Sequence, residues 1–229
     1  MPFRQRKFIM VFVKEKTNIL KNVVTLYTFI FLIWGFYRYL FRLPEEIEEL
    51  VLKPIIWLGP VFFLLFKEKA SLSSLGWTGK NLFKSLYLGI GLGIIFAIEG
   101  LFTHTLKYGG ISFVKLAYTS LPVFLVALGV SLGTAISEET AFRGYIFNRL
   151  WQILKNEWLA NLVSSLGWAL VHLPITIFVF HYNPVQILVF LILTFIFGAG
   201  SAFVFARTGT VVASVLLHVF WGWPIILFR

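Results

Sequence analysis

The sequence predicts an all-α membrane protein, a bundle of seven to eight transmembrane helices around an intramembrane cavity. Three observations lead there. The chain is 59% hydrophobic and 13% charged over 229 residues, with a mean hydropathy of +0.86. Soluble domains usually carry about 25% charged residues, so too few charges are available to cover a wet surface. Apolar runs of roughly twenty residues, the length that crosses a bilayer core, recur along the chain. Ionisable residues then interrupt or end the later runs: Glu138, Glu139, Arg143, His172 and His218. A charged group in hydrocarbon costs at least ~2.5–3.5 kcal/mol and is rarely there without a function.

Residues 1–21 carry Arg4, Arg6, Lys7, Lys14, Lys16 and Lys21 among apolar residues, a basic amphipathic segment suited to the membrane surface. Residues 22–229 form the polytopic transmembrane domain. Its first span runs from about Asn22 to Phe41 and ends in Phe36-Tyr37-Arg38-Tyr39, an aromatic and basic membrane anchor rather than a signal-peptide cleavage site. The acidic link Pro44-Glu45-Glu46-Ile47-Glu48-Glu49 reads as a solvated helix start, with proline and acids in the first turn complementing the helix dipole. The second span, about Leu50 to Phe66, contains Pro54 and Pro60, which favour kinks. A polar connection, Lys67 to Lys84, leads to a glycine-rich span of about Ser85 to Phe102. There Gly89 and Gly93 form a GxxxG pair that permits close helix contact, and Glu99 reads as an interfacial or paired acid.

The fourth span starts near Tyr118 and runs to the glutamate pair. Residues 143–158 are amphipathic, with Ile146, Phe147, Leu150 and Leu154 at helical spacing. Whether they dip into the bilayer decides between seven and eight helices. Further spans cover about Leu159 to Phe180, Pro184 to Ala206 and Thr210 to Leu227. His104 and His181 fall in expected loops.

A net charge of +10 could suggest nucleic acid, but the basic residues lie at the ends of apolar segments rather than in one soluble patch. They mark topology. The N-terminal arm, Lys67, Lys69, Lys80 and Lys84, then Arg143, Arg149 and Lys155, then Arg207 fall on one side of the spans. By the positive-inside rule that side is cytoplasmic. The expectation is a multi-pass protein of a prokaryotic plasma membrane, with a cytoplasmic N-terminus, the bilayer as its surroundings and no nucleic-acid partner. The absence of cysteine excludes disulfides, zinc–thiolate sites and cysteine nucleophiles.

Glu139 and Arg143 are four residues apart and share a helix face, acid before base, the favourable order for a pair. Glu138 is rotated by about 100° and faces a different space. One glutamate is thus neutralised while its neighbour is free for chemistry. Two histidines at membrane depth, His172 and His218, complete a set able to activate water and to donate a hydrogen bond to an oxyanion. Glu138, His172 and His218 would also suit zinc. There is no HExxH helix, and spacing alone leaves a metal open.

Several motifs in order resemble the CPBP family of intramembrane proteases, also called the CAAX-processing and bacteriocin-processing, or Abi, family. The resemblance spans about residues 70–225. Leu75-Gly76-Trp77 resembles the family's opening segment, and Ser137 to Gly144 resembles its EExxxR motif. Trp168 to His172 resembles FxxxH, with Trp for Phe, and Phe197-Gly198 through Arg207-Thr208-Gly209-Thr210 to His218 resembles the closing pattern. The resemblance implies an intramembrane endopeptidase acting on a membrane-associated peptide or protein, with the active site in an intramembrane cavity. Glu138 would activate water assisted by His172, Glu139 and Arg143 would support it, and His218 would help form the oxyanion site. The implied mechanism uses no cofactor and no metal. The family's last motif is usually HxxxN. Here Gly222 takes the place of Asn, which removes a side-chain donor and keeps a second reading, a catalytically impaired scaffold that binds a membrane partner. A transporter, the third class, fits less well, because the intramembrane charges cluster in the C-terminal half without two matching halves.

Overall fold

The computed structural model describes residues 3–108 and 121–227. They form seven helices: α1 (Phe3–Leu40), α2 (Glu45–Glu68), α3 (Leu82–Tyr108), α4 (Leu121–Leu154), α5 (Glu157–Phe178), α6 (Pro184–Thr208) and α7 (Val211–Leu227). Six contain stretches long and apolar enough to cross a membrane, and Val211–Gly222 in α7 is a shorter apolar helix. No strand occurs among the described residues. The predicted helical membrane bundle is borne out at the lower end of its helix count. The expected start of the fourth span near Tyr118 lies outside the described residues.

Residues 143–158 do not form a separate helix. α4 continues from Leu121 through the glutamate pair to Leu154. Lys155 then stops it in a left-handed conformation (φ 56°), and the Asn156 side chain caps α5 by accepting from the Leu159 amide at 3.0 Å. α5 breaks at His172, between Val171 and Leu173. Pro174 has no amide proton for a helical bond, and its ring crowds the preceding turn. α6 starts with a capping box of Asn183 and Gln186, has Pro184 in its first turn, and stops at Gly209 (φ 70°). His181 lies in the exposed connection before it, whereas α3 continues to Tyr108 and so takes the His104 backbone into a helix.

The core is read directly off helical spacing. Val23, Leu26, Ile30 and Trp34 line one buried stripe of α1. Trp57 of α2, Phe142 of α4 and Trp168 of α5 meet as a mutually packed aromatic trio, with ring centroids 5.1–6.4 Å apart. Many large apolar side chains face outward, among them Phe63, Phe66 and Phe83, as lipid-facing helices require. The GxxxG expectation holds: α3 lies directly against α7. A Cβ at Gly89 would sit 2.7 Å from the Ala213 carbonyl oxygen, and one at Gly93 would sit 2.8 Å from Phe220 Cβ.

Two polar clusters depart from expectation. Glu48 and Glu49 are buried, not solvated. The helix start that carries them packs between α1 and α4, where Arg38, Lys53 and Thr134 satisfy them. At the opposite end of α2, Glu68 accepts from Asn22 (2.9 Å), from Tyr145 and from Arg149 (3.1 Å), tying α1 and α4 to α2. Arg149 is buried.

Substituting Gly89 with leucine should separate α3 from α7. Overpacking of this kind costs about 1–3 kcal/mol. The thermal midpoint of the detergent-purified protein should fall by several degrees, while Gly91→Leu, whose Cβ meets nothing within 4 Å, should leave it nearly unchanged.

Candidate active site

The two neighbouring glutamates have different surroundings. Glu139 is fully buried and its carboxylate is enclosed by donors. Arg143 reaches it from one turn on (Nε–Oε2 3.2 Å, Nη1–Oε1 3.3 Å), Ser201 Oγ donates at 2.5 Å, and His218 Nδ1 lies 2.8 Å from Oε1. Arg143 also donates to the Gly198 carbonyl at 3.2 Å and lays its guanidinium 4.4 Å from the Trp168 ring centroid. Ser201 in turn accepts at its carbonyl from Ser214 Oγ (3.0 Å), which fastens α7 to α6. The predicted Glu139–Arg143 pair is therefore present, within a network of four helices. Breaking a buried ion pair by removing one partner typically costs 3–5 kcal/mol.

Glu138 faces the other way, into a cavity of about 70 Å³ lined by Arg38, Glu49, Lys53, Trp57, Glu138 and His172 among others. It is not the unpaired carboxylate the sequence suggests. Lys53 Nζ, itself buried, lies 2.7 Å from Glu138 Oε1 and also pairs with Glu49 one turn earlier on α2. Glu49 is held by Arg38 (3.1 Å) and Thr134 (2.7 Å), and Arg38 pairs in turn with Glu48. The charges alternate along this chain: Glu48, Arg38, Glu49, Lys53, Glu138.

His218 approaches Glu138, and His172 lines the same cavity as Glu138. His172 Nδ1 lies 2.8 Å from the Trp168 carbonyl oxygen. A carbonyl only accepts, so Nδ1 carries the proton, and in the neutral ring Nε2 keeps its lone pair. The helix break at His172 sets the ring against Trp168, centroids 4.6 Å apart. The same logic places a proton on His218 Nδ1, because its partner is the Glu139 carboxylate. Its Nε2 then points to Glu138 Oε2 at 4.0 Å, too far for a direct bond and within reach of a bridging water. Glu138, His172 and His218 thus converge although they come from three helices. A Cβ at Gly222 meets nothing within 4 Å, so the last helix leaves open space where the family usually has Asn.

The segment Thr140–Phe147, which holds Arg143, is π-helical, as is Glu48–Leu52, which holds Glu49. Wide turns of this kind are frequent at functional sites. The Leu75-Gly76-Trp77 segment docks on the same turn: Trp77 Nε1 donates to Thr140 Oγ1 at 3.1 Å, and Leu75 is buried against Gly144. Among the described residues, no group of three or more His, Asp or Glu side chains is placed to hold a metal ion.

Sequence reasoning missed Lys53, Glu49, Arg38 and Ser201. Lys53 had a usable signal. It interrupts the apolar run Leu50-Val51-Leu52-Lys53-Pro54-Ile55, so the rule that singles out His172 applies to it as well. Ser201 carries no such mark, since serine is common in membrane helices.

Residues 120–223 match the family model described as type II CAAX prenyl endopeptidase Rce1-like. The match, over somewhat less than half of the chain, agrees with the resemblance read from the motifs. It contains Glu138, Glu139, Arg143, His172, His218 and Gly222, and leaves out Arg38, Glu49 and Lys53. No curated protein and no solved structure matches the chain.

Replacing Glu139 with glutamine should lower stability by about 3 kcal/mol, since it strands Arg143 in a dry interior. Glu138→Gln, at a cavity wall, should cost clearly less. Denaturant or thermal unfolding of the two purified variants in one detergent checks the order. Equal losses would contradict the division between an enclosed and a cavity-facing carboxylate.

Proposed function

We propose that the chain is an intramembrane endopeptidase in which Glu138 activates a water molecule for attack on a peptide carbonyl. The observation supporting this reading is the convergence of Glu138, His172 and His218 beside a cavity of water-holding size. Water loses a proton to Glu138 Oε2 as its oxygen bonds to the carbonyl carbon. His172, with its Nε2 lone pair free, assists that deprotonation. His218, held through Nδ1 by Glu139, donates to the developing oxyanion from Nε2 when that nitrogen also carries a proton, the ring then being an imidazolium. The tetrahedral intermediate then collapses, the C–N bond breaks, and the proton on Glu138 passes to the leaving amine. No step uses a metal. Preorganised donors at an oxyanion are worth ~10²–10³ in rate each.

A prenylated C-terminal tail is the first substrate class to try, from the description of the matched family. An internally quenched farnesylated CaaX peptide, presented to the protein in vesicles, tests the reading. Wild type should cleave it, Glu138→Gln should lose at least ~10²-fold in kcat, and a chelator such as phenanthroline should change nothing. Full turnover by Glu138→Gln would end this reading.

A catalytically impaired scaffold is the second reading, favoured by the open space at Gly222 and the lysine on Glu138. Gly222→Asn separates the two in the same assay. A rise in cleavage indicates an attenuated protease. No cleavage by either form, across a set of peptide classes, favours the scaffold. A fall indicates a site rebuilt around glycine.

We further propose a plasma-membrane protein with the N-terminus inside. The cavity residues then lie in the outer half of the bilayer. Arg38 is near the end of α1, Lys53 about two turns from the start of α2, and His172 about two turns from the end of α5. Lys67, Lys69, Lys155 and Arg207 sit at the opposite helix ends. Because the chain has no cysteine, single cysteines report topology without background. Glu46→Cys should react with an impermeant maleimide in intact cells, and Lys67→Cys only after permeabilisation. The reverse pattern would place the cavity on the cytoplasmic side.

A further inference from the structure

The catalytic reading uses Glu138 but leaves its salt-bridge partner without a role. Lys53 contacts two carboxylates, Glu49 and Glu138, and is buried, as both of them are. One acid would neutralise it, and Glu49 is supplied one turn away on the same helix, so pairing within α2 would suffice for a purely structural lysine. The second acid, 85 residues further along the chain, is the one that faces His172 and His218. Arg38 supplies the charge that lets two acids share the lysine: it donates to Glu49 at 3.1 Å and stacks 4.6 Å from the Trp34 ring centroid. Lys53 Nζ lies 5.3 Å from the Trp34 ring centroid and 5.9 Å from that of Trp57, walls that leave it little room to move.

The two oxygens of Glu138 are therefore not equivalent. Oε1 takes the ammonium at 2.7 Å, and Oε2 is the oxygen 4.0 Å from His218 Nε2. We propose that Lys53 is a positioning residue for the reaction at Glu138: it holds the side chain as a carboxylate and in one rotamer, with Oε2 presented to water. The inference rests on the catalytic reading above. It also assigns the α1–α2 hairpin, outside the family match at 120–223, a part in the active site.

A probe that does not depend on cleavage tests it. Dicyclohexylcarbodiimide enters membranes and reacts with protonated carboxyls: the acid oxygen bonds to the carbodiimide carbon and the acid proton moves to its nitrogen. The full-length protein in nanodiscs is treated with the reagent, and the peptide carrying Glu138 is weighed. Wild type and Lys53→Arg, which keeps the charge, should stay unmodified at Glu138. Lys53→Gln, which keeps a donor but not the charge, should label there at least ~10-fold more. If Lys53→Gln does not fold, the double variant with Glu49→Gln keeps the net charge of the cluster and asks the same question. With the quenched farnesylated peptide, Lys53→Gln should lose ~10- to 100-fold in kcat with KM within about twofold, and Lys53→Arg should recover most of the loss. A lysine that only supports the fold predicts neither the labelling nor the kcat-specific loss.

Equal labelling of wild type and Lys53→Gln, or a loss confined to KM, would overturn the assignment. If the labelling follows Lys53 but wild type cleaves no peptide, Lys53 still holds the Glu138 carboxylate, and the protease reading fails together with the positioning role built on it. If wild type cleaves and the labelling ignores Lys53, the protease reading stands and the assignment fails.

Discussion

A charge inside a hydrocarbon slab must be paired, and this constraint arranges the rest of the molecule. The described residues place two acids side by side in a membrane helix and resolve their cost in two ways. Glu139 is surrounded by Arg143, Ser201 and His218 and has no open side. Glu138 has one strong donor, Lys53, and a cavity. The rotation of about 100° between consecutive helical residues turns one carboxylate into a structural joint and leaves the other facing a cavity. That difference needs no further specialisation of the side chains themselves.

The joint is what brings the helices together. Glu139 connects α4 to α6 through Ser201 and to α7 through His218, and Arg143 adds the Gly198 carbonyl and the Trp168 face. The alternating series from Glu48 to Glu138 does the same for α1 and α2. In a membrane, helices gain little from burying apolar surface against one another, because lipid is equally apolar; packing and polar contacts decide association. The glycine-lined contact of α3 with α7 supplies the packing, and the two charged networks supply the polar contacts. The charged residues proposed for the reaction are thus also those that hold the helices together, which limits how far the site can be altered without loss of the fold.

Much of this was legible in the sequence. Composition and apolar runs indicated a helical membrane bundle, and the GxxxG pair marked the closest helix contact. The offset between Glu138 and Glu139 indicated that they face different surroundings, and His172 and His218 stood out as ionisable groups in apolar runs. The acidic link was misread because proline followed by acids has the same appearance at a solvated helix start and at a buried one. Only the arginine and lysine that approach from α1 and from the next turn of α2 distinguish them. Lys53 was legible in principle, by the rule applied to the histidines. Its partner was not, since nothing local ties a lysine in the second helix to a glutamate in the fourth. The continuity of α4 was obscured by the polar composition of its last turns, where Arg149 is satisfied by Glu68 rather than by water.

The central claim is that Lys53 and Glu138 form one energetic unit across the two halves of the chain. A double-mutant cycle on unfolding of the purified protein measures that most directly, with Lys53→Met, Glu138→Gln and the two combined. Lys53→Met leaves Glu138 without its lysine, Glu138→Gln leaves Lys53 with Glu49 alone, and the double change removes both members of the pair. The account predicts a double variant less destabilised than the sum of the singles by about 1–3 kcal/mol, the range for residues in contact. Losses that add to within about 0.5 kcal/mol, as independent sites do, would contradict it.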